Sequence, residues 1–181
     1  QAINHALDRE GMVTGIYGGA AAPAEQVFSS IGQVYDADLD GAYPYDPELG
    51  RELVEEAGFV GESFQIPSTY LTTTIEPTLS QAFTDIGLNL EWIAVPPQQA
   101  QTALTSGDFG LAFQAVGFNS DPADAFYHYG VNGFGNPRGY TNDTLDGFFD
   151  VINTTVQFED ALPAYQDLND YAVEQAYVAP V

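Results

Sequence analysis

The sequence contains no cysteine and no lysine, and each absence excludes a class of site. Without cysteine, the chain can form neither a disulfide nor a thiolate metal site. The basic residues are Arg9, Arg51 and Arg138, against 26 acidic residues, which gives a formal net charge of −23. Nucleic acids and anionic membrane surfaces are poor partners for this surface, because they also carry negative charge.

The acidity comes more from missing bases than from added acids. Charged residues make up 16% of the sequence, below the roughly 25% that is typical of globular proteins. A high-salt habitat is one explanation of this imbalance. No run of about 18 apolar residues occurs, so the sequence predicts no membrane-spanning helix. Hydrophobic residues make up 45% of the 181 positions, which is enough for one domain with a packed core.

The most informative stretch is a predicted β-strand at 109–116. Apolar residues fill most positions on both of its faces, which is typical of a central strand that is covered on both sides. An aromatic ring, an amide, a hydroxyl and a carboxylate follow directly, in Phe118, Asn119, Ser120 and Asp121. Because open α/β sheets bind ligands at the carboxyl ends of their strands, we predict that these four residues bind a ligand.

Strand and helix patterns alternate before this stretch. Apolar spacing predicts further strands at 63–70 and 88–95, with a helix between them that ends at Gly87. The predicted helices span 1–7, 8–16, 46–58, 75–86, 98–104, 122–129, 142–152 and 160–177. This order predicts an α/β fold with a mixed sheet flanked by helices. Asp8, Asp46 and Asn142 are predicted caps, and the helix at 46–58 has a predicted apolar stripe of Leu49, Leu53, Val54 and Ala57. We interpret Trp92 as a core residue.

The sequence gives little support to an enzyme or a metal site. It has no GxSxG elbow, no HExxH and no glycine-rich phosphate loop, and its two histidines lie more than a hundred residues apart. We interpret His5 as a hydrogen-bonded structural residue. The run DADLDG at 36–41 resembles a calcium loop but lacks the glutamate six residues after its glycine. We predict no catalytic residue, no metal and no cofactor; a calcium-stabilised or sensor-type binding module and a hydrolase lobe are the alternatives.

Three segments carry a family resemblance. They are AINHALDRE at 2–10, YPYDPELGRELVEEAGF at 43–59 and GDFGLAFQAVGFNSDP at 107–122. They resemble AINYAIDRE, YPYDPEKAKELLEEAGY and GDFDxAxxGWxADYPDP in the extracytoplasmic solute-binding proteins of the oligopeptide, dipeptide and nickel class. With weaker matches elsewhere, the resemblance covers essentially the whole chain. The chain departs from the pattern at Phe118, where most members have Trp, and its Asp-Pro part is about two residues shorter.

The resemblance implies a fold and a function. Residues 1–181 would form a single α/β lobe, the second of a periplasmic-binding-protein-like protein with two lobes. The whole protein would capture peptides or similar small solutes outside the membrane, in the periplasm or at the cell surface. Its partners would be the first lobe of the same chain, the ligand and the membrane permease of an ABC importer.

The resemblance also implies a role for Asp121, which would accept the α-ammonium group of a bound peptide. The residues allow a second role, because Asp121 followed by Pro122 is an ordinary helix start with Asp121 as the N-cap. Both roles are compatible, since a carboxylate has two oxygens. Tyr17 lies in a loop that faces the ligand cleft in the family. Arg138, the only base near this presumed cleft, is a candidate partner for an anionic ligand group.

Overall fold

The structure, a computed structural model, describes residues 1–117, 119–131 and 133–181. It divides into two compact units, which we call unit 1 and unit 2. Unit 1 comprises Gln1–Ala24, Tyr43–Val116 and Val181, and unit 2 comprises Glu25–Ala42 and Gly117–Pro180. The prediction of a single lobe stays a prediction. None of the helices in the described part of the chain combines the length and the hydropathy of a membrane span.

Unit 1 contains a small parallel sheet and the helices that pack beside it. Its elements are α1 (Ala2–Ala6), α2 (Arg9–Gly15), α3 (Pro47–Ala57), β1 (Ser63–Ser68), α4 (Glu76–Asp85), β2 (Asn89–Ala94), a 3-10 turn (Pro97–Gln99) and α5 (Ala100–Thr105). The two strands pair in parallel, with Ser63 opposite Asn89 and Ser68 opposite Ala94. Helix α4 is the crossover between them, as the alternating pattern predicts. The α/β class is therefore confirmed.

Short-range signals in the sequence fix the ends of α2 and α3. The Asp8 carboxylate accepts a hydrogen bond from the Gly11 amide at 2.9 Å, and the Asp46 carboxylate accepts one from the Leu49 amide at 2.9 Å. Helix α3 ends at Gly58, whose φ of 75° lies in the left-handed region that glycine adopts without strain. The predicted caps of both helices are confirmed.

The apolar core of unit 1 lies around α4. Its buried members are Ala6, Leu7, Met12, Val54, Ile75, Leu79, Ala82, Phe83, Ile86 and Leu88. Trp92 packs against this cluster and donates its indole N–H to the Ser80 hydroxyl at 2.8 Å. His5 is buried, with Nδ1 3.0 Å from the Pro44 carbonyl oxygen and its ring edge-on to Tyr43. The structural interpretations of Trp92 and His5 are confirmed.

The predicted central strand at 109–116 is wrong. Among the described residues the sheet has two strands, β1 and β2, and this segment is not part of it. Leu111 and Phe113 pack against the core of unit 1, whereas Gly110 and Ala112 are exposed. Glycine and alanine count as apolar in a pattern but carry little area to bury. The side chains do alternate between two faces, but only one of these faces packs against the core.

The predicted apolar stripe of α3 also needs correction. Leu49 is 37% exposed, and the helix instead packs through Gly50 and Val54, both of which are buried. A β-carbon at position 50 would lie 2.7 Å from Cγ2 of Ile86 and 3.0 Å from the Ala2 carbonyl oxygen. Glycine at this position therefore lets α3 approach its neighbours closely.

Unit 2 is helical. It contains a 3-10 turn (Ala37–Leu39), α6 (Asp121–Tyr129), α7 (Asp143–Thr154) and α8 (Phe158–Glu174). The Asn142 side chain caps α7 by accepting hydrogen bonds from the amides of Thr144 and Leu145 at 3.1 and 2.9 Å, as predicted. The apolar core of unit 2 comprises Phe28, Val34, Ala125, Tyr129, Leu145, Ile152, Ala161, Ala164, Tyr165, Leu168 and Ala172.

We expect the substitution Gly50→Ala to lower the free energy of unfolding by about 1–3 kcal/mol, because the added methyl group overpacks the contact with Ile86 and a backbone carbonyl. Gly147→Ala is the matched control, since a β-carbon at this position of α7 meets nothing within 4 Å. The control should be neutral or stabilising by up to about 1 kcal/mol. Denaturant titration of both variants measures the difference, and equal effects would contradict the packing argument.

We expect the thermal midpoint of unfolding to rise between 0.1 and 2 M NaCl, as salt screens the repulsion within a chain of net charge −23. The Debye length falls from about 10 Å at 0.1 M to about 3 Å at 1 M. Glu52, Glu55 and Glu56 are exposed on α3. Replacing all three with Gln should raise the midpoint at low salt and flatten its salt dependence. A midpoint that salt leaves unchanged would show that charge repulsion is not a significant term.

Candidate functional site

The predicted ligand-binding segment leads into α6. Asn119 and Ser120 are exposed, whereas Asp121 is 8% exposed. Ser120 occupies the N-cap position of α6, but its side chain makes no capping hydrogen bond. Asp121 is the first residue of the helix. The prediction that Asp121 is the N-cap is therefore wrong. An N-cap residue lies outside the helix and binds amides of the first turn, but Asp121 is already helical and its carboxylate binds elsewhere.

The Asp121 carboxylate holds a turn that is distant in sequence. Its Oδ2 accepts hydrogen bonds from the backbone amides of Gln33 at 2.5 Å and Val34 at 3.0 Å. A β-carbon at Gly32 would lie 2.1 Å from Oδ1 of Asp121, so the turn fits against the carboxylate only because residue 32 is glycine. Hydrogen bonds to an ionised acceptor are stronger than neutral ones. Asp121 thus joins the two chain segments that make up unit 2.

A second carboxylate orients the loop before α6. Asp124 is 2% exposed and accepts hydrogen bonds from Nδ2 of Asn119 at 3.0 Å and from its backbone amide at 3.3 Å. Nδ2 of Asn119 also contacts the Gly117 carbonyl oxygen at 3.3 Å. Asp124 is not among the residues that the sequence pattern predicts for the site. The available signal was an acidic residue in the first turns of a helix, where it can bind amides just before the helix start.

Another buried polar contact fixes the segment that Asp121 holds. Gln26 is 3% exposed, and its side chain makes two hydrogen bonds to the backbone of Asp36. Its Nε2 donates to the Asp36 carbonyl oxygen at 2.8 Å, and its Oε1 accepts from the Asp36 amide at 3.1 Å. Asn169 of α8, fully buried, donates to Oε1 of Gln26 at 2.8 Å. This network keeps the 25–42 segment against α8. No pattern in the sequence indicated it, because the contact is between residues 143 positions apart.

The remaining predicted residues are spread over the chain. Arg138 is exposed on the loop between α6 and α7 of unit 2, and Tyr17 is 44% exposed in unit 1. Phe118 lies outside the described residues. The structure therefore brings together Asn119, Ser120 and Asp121 at one helix start.

The acidic run at 36–41 uses its carboxylates internally. Asp36 accepts a hydrogen bond from the Asp38 amide at 2.8 Å, and Asp40 accepts hydrogen bonds from Nε2 of Gln26 at 3.3 Å and from the Tyr35 hydroxyl. Within 1–117, 119–131 and 133–181, no group of three or more histidine, cysteine or acidic residues could hold a metal ion. These contacts explain the run as a folded turn.

A cavity of about 240 Å³ is lined in part by the last residues of α6. Its lining residues are His128, Tyr129, Gly135, Asn136, Tyr140, Leu145, Tyr177 and Val178. Burial raises the pKa of the Tyr129 hydroxyl, and burial lowers the pKa of His128 against the opposing effect of Asp124. Both side chains are therefore neutral near pH 7. The lining is aromatic and uncharged, unlike the helix start at Asp121.

Comparison with known proteins gives a consistent picture. Residues 1–137 match the model of the family described as bacterial extracellular solute-binding proteins, family 5, middle part. A protein of Brucella ovis named a putative ABC transporter peptide-binding protein is 30% identical over 135 residues, which are 68% of this chain and 25% of that protein. The chain therefore spans about a quarter of the length of this relative.

Solved structures agree on the fold. The periplasmic binding protein DppA of Helicobacter pylori, in complex with the peptide STSA, matches with a TM-score of 0.82 and 19% identity, over 99% of this chain and 36% of that one. NikA of Staphylococcus aureus, in complex with Ni(L-His)2, matches with a TM-score of 0.83 and 18% identity, over 99% of this chain and 40% of that one.

Removal of the Asp121 carboxylate should destabilise the chain. In Asp121→Ala the amides of Gln33 and Val34 lose their acceptor; since the Val34 contact is buried, we expect a loss of about 1–3 kcal/mol in the free energy of unfolding. Asp121→Asn should lose less, because its amide oxygen can still accept both hydrogen bonds. Asp150→Ala removes an exposed carboxylate of α7 and should change the stability by less than about 0.5 kcal/mol. Chemical denaturation gives all three values, and a neutral Asp121→Ala would refute the role of this contact.

Proposed function

Because the chain belongs to family 5 of the bacterial extracellular solute-binding proteins, we propose that it is part of the substrate-binding component of an ABC importer. The whole protein captures peptides or similar small solutes outside the membrane and presents them to a permease. The function is binding without chemistry: two lobes close over the ligand, and the contacts that the ligand makes in the closed form stabilise that form. The first lobe and the permease are its partners.

The observation that supports this proposal most is the family match over residues 1–137. This range includes the helix start at which Asn119 and Ser120 are exposed and Asp121 and Asp124 are buried. The name of the Brucella relative, a putative peptide-binding protein of an ABC transporter, supports peptides as the ligand class. Relatives in this fold class also include a protein solved with a nickel–histidine complex, so the scaffold alone does not select a solute.

We assign a role to each candidate ligand-binding residue. The Ser120 hydroxyl and the side-chain oxygen of Asn119 offer hydrogen-bonding groups to the polar parts of a ligand, because both residues are exposed. Asp121 contributes negative charge, which favours an α-ammonium group in a site that closure removes from water. Phe118 and Tyr17 supply apolar walls, and Arg138 pairs with an anionic group of the ligand.

The contacts of Asp121 give its carboxylate two roles. Oδ2 is used by two backbone amides, and Oδ1 lies against Gly32. The same carboxylate therefore fixes the turn at 32–34 and sets the charge at the start of α6. Removal of the charge with retention of the hydrogen bonds separates these two contributions, and Asp121→Asn is the substitution that does so.

For the whole protein, we expect Asp121→Asn to weaken binding of peptides with a free amino terminus by about tenfold or more, since truncation of one partner of a buried charge pair costs roughly 2–5 kcal/mol and Asn retains part of it. Binding of the same peptides after N-acetylation should change much less. Isothermal titration of both peptide sets measures the ratio, and mass spectrometry of the recovered peptides should show them intact.

Glu56→Gln in the same protein is the matched control, because it removes one charge from an exposed position on α3. It should leave both affinities unchanged. Equal losses for free and acetylated peptides in Asp121→Asn would assign Asp121 to the turn alone. Cleavage of the peptides would contradict the binding function itself.

A further inference from the structure

A separate groove lies at the opposite end of α6. It has a volume of about 600 Å³, and its lining residues are Phe126, Gly130, Val131, Gly133, Asp146, Phe149, Asp150 and Asn153. Helix α6 has nine residues, so at a rise of 1.5 Å per residue about 13 Å separates its two ends. The groove therefore does not include the predicted ligand-binding residues at the start of the helix.

Two phenylalanine rings form the apolar part of the groove. The ring centroids of Phe126 and Phe149 are 5.3 Å apart, with their planes inclined at 39°. Phe126 is 39% exposed, and Val131, which also lines the groove, is 47% exposed. Aromatic faces carry partial negative charge and attract cations placed over them, arginine more often than lysine.

Carboxylates lie beside these rings on α7. Asp146, Phe149 and Asp150 are spaced by three and four residues, which places them on one face of the helix. Asp146 accepts a hydrogen bond from the Thr141 hydroxyl. The exposed carboxylate of Asp150 makes no hydrogen bond to a side chain or amide that the structure describes. The groove also lies at the carboxyl end of α6, where the helix dipole favours positive charge.

We propose that this groove binds an arginine side chain of a partner polypeptide. The guanidinium pairs with Asp150, and its plane and aliphatic stem lie on Phe126 and Phe149. A guanidinium fits both parts because it is planar, weakly hydrated and always charged. The net charge of −23 attracts a basic partner from a distance, and the rings beside a carboxylate select the position.

The exposure of the groove favours a side chain of a polypeptide over a free small molecule. Pockets for small molecules bury about 70–90% of the ligand surface. Here Phe126 and Val131 are partly exposed, and the carboxylates of Asp146 and Asp150 are at the surface. A groove of this shape covers one side of a side chain, and the rest of the binding energy must come from the chain that carries it.

The test is an NMR titration of the 181-residue chain with the blocked pentapeptide acetyl-Gly-Gly-Arg-Gly-Gly-amide, at one salt concentration at which the chain is folded. We expect the largest shifts at Phe126, Phe149 and Asp150. The same peptide with citrulline, the neutral isostere of arginine, should bind about two- to fivefold more weakly. Asp150→Asn and Phe126→Leu should each weaken the arginine peptide by a similar factor. Glu55→Gln with Glu56→Gln, which removes exposed carboxylates of α3, should leave its affinity unchanged.

Three outcomes would overturn the proposal. If the citrulline peptide binds as tightly as the arginine peptide, the positive charge of arginine does not contribute to binding. If the α3 variant loses as much affinity for the arginine peptide as Asp150→Asn does, the peptide is attracted by the acidic surface in general and not by this groove. Arginine amide that binds as tightly as the pentapeptide would assign the groove to small cations instead of a polypeptide.

Discussion

Unit 2 depends on one contact between a buried carboxylate and two backbone amides. Asp121, at the start of α6, accepts hydrogen bonds from Gln33 and Val34, which lie 88 and 87 residues earlier in the chain. The alternative for the fully buried Val34 amide would be an unsatisfied donor, which costs about 1–3 kcal/mol. Gly32 is part of the same arrangement, since any β-carbon there would collide with the carboxylate. The contact explains why the 25–42 segment belongs with the three C-terminal helices.

The same contact fixes the helix start at which we propose that the ligand binds. With Asp121 turned inward and Asp124 holding Asn119, the loop before α6 has few ways to rearrange, and Ser120 stays at the surface. A binding protein benefits from such an arrangement, because a loop that is already ordered loses less entropy when the ligand binds. The groove at the other end of α6 differs in kind: it is open, and its rings and carboxylates suit a side chain that is presented by another polypeptide.

Local signals predicted most of the elements and little of the site. Asp8, Asp46 and Asn142 are caps in the structure because capping depends on residues within one turn. The prediction of a strand at 109–116 failed because small apolar residues give the sequence pattern of a buried face without the area to bury. A partner strand is also not encoded in the segment itself. Asp121 was found by its position after the glycine–aromatic turn, but its partners were not, since no local rule links it to a turn nearly ninety residues away. Gln26 and Asn169 were missed for the same reason.

The most direct test of this account is amide hydrogen exchange at Gln33 and Val34. If the Asp121 carboxylate accepts both hydrogen bonds, both amides should exchange slowly in the native chain, although the side chain of Gln33 is exposed. In Asp121→Ala both should exchange at least about tenfold faster, while protected amides in α8 change by a smaller factor, since roughly 1.4 kcal/mol of local stability corresponds to tenfold. Fast exchange at both positions in the native chain, or exchange that the substitution does not alter, would contradict the account.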